Sequence, residues 1–382
     1  MGKYNVFVGM DVHARSITAQ ARIVDEVTGE KIKELYKRFS GKYCAGDIAS
    51  WVLGLGDRPY CAYESGCTGV VLAQQLRELG IECDVIAIST LPRSTKDKQV
   101  KCDKLDARAI LGEITNQDPR YSCVYIPTKA EEGRRELVRT YIQAKDSAKQ
   151  ASQRLSSFLL RQSYVWNEKT PSGNLKKTTG RAYEAWLSKI TFENEDIKQA
   201  FNILRRRRDL AYDEFDQAKQ MMKELAKRAD NYPFVVALTG LLGIDTLSAM
   251  VALGEFCNFN RFAKGRAVSC WLGTVPSNSS SGEKDAHGSI TKSGDKYLRK
   301  TLIESVCGIA AWKNISKRSR TKVSTKDPDL EALIRKANTR LRDRYHHLTQ
   351  ESKKNANKAK VAIANELVRW CWIIGQKVQA SL

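Results

Sequence analysis

The chain has 382 residues, of which 42% are hydrophobic, so it exceeds one small domain and is not a wholly disordered polymer. Lys and Arg number 64 against 43 Asp and Glu, a net charge of +21. Such an excess attracts polyanions, nucleic acid foremost, because neutralising phosphates releases counterions.

Ten scattered cysteines show no C-x-x-C pair and no zinc spacing, which points to reduced thiols in a cytosolic chain. Cys83, Cys257, Cys270 and Cys307 sit in apolar contexts and read as small buried residues. The opening "MGKYNVFVGMDVHA" is no signal peptide, because Asp11 interrupts its apolar run, and no apolar stretch is long enough to span a bilayer. The expectation is a soluble, cytoplasmic protein free of membrane.

In chain order, "YNVFVGMDV", "SITAQARIV" and "KELYKRFSG" read as strands and "AGDIASWVLGLG" as a helix stopped by glycine. "RPYCAYES" and "IECDVIAIS" are further strands around the helix "GVVLAQQLRELG", and "KLDARAILGEIT" is helical. Hairpin strands followed by βαβ units predict a mixed α/β sheet over residues 1–128. From 129 to 231 the strand signal vanishes. Two long charged helices with apolar residues every three or four positions, among them Leu204, Tyr212, Phe215 and Met222, predict an antiparallel coiled-coil arm. Its "RRRR", Arg205 to Arg208, reads as a solvated helix face. Residues 232–382 read as a mainly helical domain. In it "GLLGID" is read as a plain helical hairpin turn rather than a phosphate cradle, and the basic run Lys313 to Lys326 is a candidate nucleic-acid contact.

Four carboxylates stand out. Asp11 follows the apolar "VFVGM", where an unpaired carboxylate is costly. Glu64 ends the strand "YCAYE", and "KCDKLDAR" sets Asp103 and Asp106 three residues apart, on one face if helical. Taken singly, Asp11 is also readable as a strand-end turn residue, Asp103 as a helix cap, and Asp106 as a partner of Arg108 or Lys101. Taken together, four acids at the ends of adjacent elements must repel unless cations neutralise them. Hard oxygen ligands suit Mg²⁺, which also binds substrate phosphates. On a basic chain this implies phosphoryl chemistry on nucleic acid.

The stretch "PSNSSSGEKDAHGSITKSG", Pro276 to Gly294, is by composition a flexible coil. It nevertheless lies between the apolar "CWLGTV" and the helical "DKYLRKTLIESVCGIAAW". The four histidines are His13, His287, His346 and His347, and no Ser-His-Asp arrangement is recognisable. His287, close to the serines in sequence, is open to a role as general base or as a phosphate contact.

The segments "VGMDVHARSI", "YESGCTGVVLAQQLRELG", "VKCDKLDARAILGEI", "LTGLLGIDTLSAMVALGEFCNFNRF" and "LGTVPSNSSSGEKDAHGSITKSGDKYLRKTLIESV" closely resemble, in order, the DEDD-type transposases of bacterial insertion sequences of the IS one-ten group. The resemblance implies a ribonuclease-H-like (RuvC-like) first domain whose acids fall on Asp11, Glu64, Asp103 and Asp106 and bind Mg²⁺. It implies a coiled-coil arm for assembly and a C-terminal transposase domain with a nucleophilic serine at Ser281. It further implies RNA-guided recombination, in which a bridge RNA pairs with donor and target DNA, carried out by a homodimer that assembles to a tetramer. Here Met10 stands where Ile or Leu is common, "ESGCTG" replaces "EAGPTG" or "EATG", and "EKDAHG" makes the serine loop more acidic than usual.

A serine hydroxyl must be activated to attack phosphorus. The alternative is a metal-dependent nuclease or junction resolvase that uses water as its nucleophile. A non-enzymatic basic scaffold leaves the acids unexplained.

Overall fold

The computed structural model describes residues 3–41, 44–91, 102–116, 118–281, 284–311 and 327–382, the side chains of 278–281, 284–287 and 310–311 excepted. The basic run 313–326 and the side chains of Ser281 and His287 therefore lie outside the described residues. The chain forms two compact units, Met1–Ile126 and Pro127–Leu382.

The first unit is built on a five-stranded sheet in the order β3-β2-β1-β4-β5. β1 (Val6–Val12), β2 (Ser16–Val24) and β3 (Lys31–Ser40) are an antiparallel meander, and β4 (Pro59–Glu64) and β5 (Glu82–Ile86) add in parallel beside β1. The hairpin-then-crossover reading of the sequence is thus realised as a mixed sheet. Alternation sorts the side chains between two faces. Val6, Val8, Met10, Ile17, Ala19, Cys61, Tyr63 and Val85 pack on one face with Ile48 and Val52 of α1 (Ala45–Leu53) and Ala73 and Leu76 of α2 (Val71–Glu78).

On the opposite face Tyr60, Ala62 and Ile86 pack with Ile110, Leu111 and Ile114 of α3 (Asp103–Ile114). Gly9 decides how close α3 comes. A Cβ there would run into the carbonyl of Ala107 and stand 2.5 Å from the amide nitrogen of Leu111, so only glycine lets the helix backbone rest on β1.

In the second unit α4 (Lys129–Arg161) and α6 (Glu195–Lys227) pack lengthwise. Thr128 starts α4 with a capping box, its amide donating to Glu131 Oε2 at 2.8 Å, and Asn194 caps α6. Away from the main core the pair closes on its own cluster of Leu155, Phe158, Leu159 and Phe201 with Tyr183 and Leu187 of α5 (Arg181–Leu187). Arg208 departs from the expected solvated face. It is 3% exposed, held by Glu184 and Asp209 at 2.7 Å each and flanked by the rings of Tyr183 and Tyr212. The helix pair turns this position inward, where a guanidinium is tolerated because both partners and two ring faces receive it.

The main core joins the inner end of α4 to α7 (Tyr232–Thr239), α8 (Thr246–Phe256), α9 (Gly265–Leu272), α10 (Lys296–Ala311), α11 (Pro328–His346) and α12 (Ala356–Ala380). The turn between α7 and α8 is used in packing. Leu242 donates its amide to Asn338 Oδ1 at 2.8 Å, and Gly243 lies against the carbonyl of Ser305. Cys83 and Cys257 are buried as expected, but Cys270 and Cys307 are exposed. The buried stripes of their helices run through Val268 and Leu272 and through Leu298, Leu302 and Val306, leaving both thiols on outward positions. Among the described residues no helix is long and apolar enough to cross a membrane.

The serine-rich stretch is not coil. β6 (Pro276–Ser281) and β7 (Lys284–Ile290) pair antiparallel, with Ser279 opposite Ala286, Ser280 opposite Asp285 and Ser281 opposite Lys284. Main-chain hydrogen bonds build such a ladder without apolar side chains, which is why composition misreads it. Its base is tied down: Thr291 donates to the carbonyl of Val275 at 3.0 Å and Asp295 to that of Trp271 at 3.1 Å.

Candidate active site

β1 and β4 run parallel with Met10 beside Tyr63, so Asp11 and Glu64 are the next residues on two neighbouring strands and leave the sheet at the same edge. Met10 and Tyr63 are fully buried on the α1/α2 face. Alternation therefore assigns Asp11 and Glu64 to the α3 face. α3 crosses this face with Asp103 as its first residue, directly after the N-cap Cys102, and Asp106 follows within the first turn. Asp103 is thus not the cap itself. The N-terminal end of a helix favours carboxylates, which suits both residues.

The outcome is a cluster at the sheet edge. One oxygen each from Asp11 and Asp103 and a ring nitrogen of His13 lie within 4.8 Å of one another. His13 Nε2 is 3.1 Å from Asp11 Oδ2 and 3.8 Å from Asp103 Oδ1. The Asp11 side chain is 15% exposed and that of Asp103 44%. Burial raises the Asp11 carboxyl above its ordinary range. His13 opposes that shift, while Asp103 and Asp106 reinforce it. Asp106 is therefore felt at Asp11 although it is not one of the three converging groups. Glu64 is half-buried at the end of β4. His13 carries no motif signal of its own; only its i,i+2 spacing from Asp11 at a strand end marks it.

Two carboxylates with half-open access suit a hard divalent cation. Mg²⁺ takes one or two protein carboxylates and fills the rest of its shell with water and substrate phosphate. Repulsion from Asp103 and Asp106 adds to the burial that raises Asp11, and a cation would relieve it. His13 lies between them, with Nε2 within 4 Å of both carboxylates. Ser281 is the last residue of β6, in the other unit, and its backbone pairs with Lys284.

Comparison with known proteins bears on the second unit most directly. Residues 236–323 match the model of the transposase IS116/IS110/IS902 family. The match runs from within α7 through α8, α9 and the β6–β7 hairpin to beyond α10. Over 368 residues the chain is 28% identical to the transposase for insertion sequence element IS1533 of Leptospira borgpetersenii, covering 92% of this chain and 99% of that one. Over 327 residues it is 27% identical to y4qE of Sinorhizobium fredii, which carries a provisional transposase name, covering 84% and 76%. The chain is thus similar to the IS116/IS110/IS902 transposases over residues 236–323 and, over most of its length, to a transposase of an insertion sequence. The IS1533 likeness covers 92% of this chain, so it reaches into the first unit as well as the matched domain.

Proposed function

We propose that the chain catalyses bridge-RNA-guided DNA strand exchange for its insertion sequence, with Ser281 as nucleophile and the Asp11 site as its Mg²⁺-binding half. The observation that carries this reading is the convergence of Asp11, His13 and Asp103 at one sheet edge, in a chain whose residues 236–323 match a transposase family. The mixed sheet with acids at its strand ends supports the ribonuclease-H-like assignment of the first unit.

In this reading Asp11 and Asp103 hold the cation, with Glu64 and Asp106 completing the acidic set. When bound, Mg²⁺ supplies electrostatic stabilisation of the phosphoryl oxygens during the displacement. Asp11, fixed on β1, and Asp103, fixed on the first turn of α3, keep the donor atoms in place before the substrate arrives, so little reorganisation is needed. The Ser281 hydroxyl attacks phosphorus: a P–Oγ bond forms, the P–O3′ bond breaks, the serine proton is lost and the leaving 3′ oxygen gains one. The resulting 5′-phosphoserine conserves the phosphodiester, so attack by a different 3′ hydroxyl rejoins strands without ATP. Ser281 is the last residue of β6, a strand-end position that suits a nucleophile that must approach DNA. Assembly of dimers into a tetramer through the α4/α6 arm, and guidance by RNA, belong to the same reading. The net charge of +21 supports polyanion partners of either kind.

The test is a covalent-adduct assay with the full chain, its element DNA, the element-encoded RNA and Mg²⁺. Wild-type protein should form a denaturant-resistant DNA adduct, and Ser281→Ala should not. Asp11→Asn should lose the adduct and retain nucleic-acid binding. Adduct formation by Ser281→Ala would refute the serine assignment, with Ser280 and Ser279 the next candidates. Cleaved ends without any adduct would favour a nuclease or resolvase that uses water. Absence of an enriched RNA on protein purified from its host would refute guidance.

A further inference from the structure

The strand registers bring a fifth residue to the carboxylate site. Asp11 on β1 is opposite Thr18 on β2, and Thr18 is opposite Arg38 on β3. Arg38, Thr18 and Asp11 therefore form one lateral row across three strands, and cross-strand neighbours share a face, here the face on which α3 lies. Adjacent strands are about 4.8 Å apart, so the Arg38 backbone is roughly 10 Å from that of Asp11, within the reach of a guanidinium. Its Nη2 lies 4.0 Å from Asp103 Oδ2, and the side chain remains 56% exposed. Thr18 between them is 2% exposed, so the centre of the row is covered.

The next row out repeats the pattern. Tyr36 is opposite Gln20, which is opposite Gly9. Tyr36 is 47% exposed, and Lys104, the second residue of α3, sets its ammonium 5.0 Å from the Tyr36 ring. A guanidinium, an ammonium and an aromatic face thus flank the acidic site on its β3 side.

A carboxylate cluster repels the phosphates it must act on, and a cation offsets that only at the metal itself. A guanidinium beside the cluster supplies the remaining attraction, and its planar fork matches two oxygens of one phosphate. We propose that Arg38 is a phosphate-positioning residue that seats the DNA strand entering the Asp11 site, with Tyr36 and Lys104 extending its contact along the strand. Without metal it pairs loosely with Asp103. Neutralisation of Asp103 by a cation frees it for a non-bridging phosphate oxygen. This rests on the metal reading of the site given above.

The test measures binding of full-length Arg38→Ala, Arg38→Lys and wild type to one DNA duplex across a salt series, in Mg²⁺ and in EDTA. Melting temperatures with and without Mg²⁺ alone accompany each. Loss of one charged contact should weaken DNA binding roughly tenfold in Mg²⁺. The slope of log affinity against log salt should shrink by about 0.9, with Arg38→Lys restoring the slope. The defect should be smaller in EDTA, where Asp103 holds the guanidinium. The Mg²⁺ melting shift of Arg38→Ala should equal or exceed that of wild type, because a competing cation has been removed. An unchanged salt slope in Arg38→Ala, or a change seen with RNA and not with DNA, would overturn the proposal. A wild-type chain whose melting ignores Mg²⁺ would instead sink the metal reading, and the two failures are read from different measurements.

Discussion

His13 Nε2, just past the end of β1, sits 3.1 Å from Asp11 Oδ2, against a carboxyl whose ionisation burial already opposes. A metal held by Asp11 and Asp103 would take over the carboxylate oxygens that His13 now contacts. That relationship makes the site testable without any recombination assay.

Asp11→Asn keeps the shape and removes the charge. Without metal it should melt at or above the wild-type temperature, because a carboxylate disfavoured by burial and by Asp103 and Asp106 is gone. Added Mg²⁺ should stabilise wild type by about 2.7 kcal/mol at a hundredfold excess over its Kd and should leave Asp11→Asn unmoved. Thermal melting with and without Mg²⁺ reads both. A full Mg²⁺ response in Asp11→Asn would remove Asp11 from the ligand set.

Gly9→Ala tests how the site is assembled. The added methyl meets backbone atoms of Ala107 and Leu111, which cannot move aside as a side chain would. Overpacking of this kind costs about 1–3 kcal/mol, measurable by urea denaturation. It should also displace α3 and with it Asp103, so the Mg²⁺ melting shift should shrink in the same variant. Normal stability with a normal shift would mean that α3 does not need this close approach.

The second unit holds a pH-sensitive acid. Asp295 caps α10 through Leu298 N at 2.7 Å, close to Glu255, which Arg139 grips with two hydrogen bonds of 2.8 Å. Burial, followed by the Glu255 charge, pushes the Asp295 carboxyl up to about 7. The folded state then binds more protons than the unfolded one between pH 4 and 7. This group's contribution to stability is therefore full below its unfolded value and is lost as pH rises through the window, by at most about 1.4 kcal/mol per pH unit. Asp295→Asn retains a capping oxygen and cannot ionise. It should match wild type near pH 4 and exceed it at pH 8, as read from urea midpoints across the range. Parallel pH curves would refute the shifted carboxyl.

Arg208 and Arg206 are two residues apart in one basic run and should behave oppositely. Arg208→Ala removes a buried side chain with two ion pairs, a 2.8 Å bond to the carbonyl of Thr178 and two ring contacts. A loss of about 1–3 kcal/mol is expected, with faster hydrogen exchange in α5. Exposed Arg206→Ala should fall within about 0.5 kcal/mol of wild type.

Periodicity alone determined much of this protein. Alternating runs from Tyr4 to Ile126 become the strands of a mixed sheet, and the long three-four repeats become α4 and α6, because burial of one face imposes those periods locally. The costly Asp11 within an apolar strand and the i,i+3 spacing of Asp103 and Asp106 are local signals too. Composition failed where backbone pairing decides structure, as in the β6–β7 hairpin, and where a helix's orientation decides exposure, as for Arg208, Cys270 and Cys307. Tertiary structure alone decided which distant residues meet. The β1–β2–β3 register aligns Arg38 with Asp11, and the bare backbone of Gly9 lets α3 deliver Asp103 to His13. Register and close packing are long-range relations, and no local pattern in a single chain encodes them.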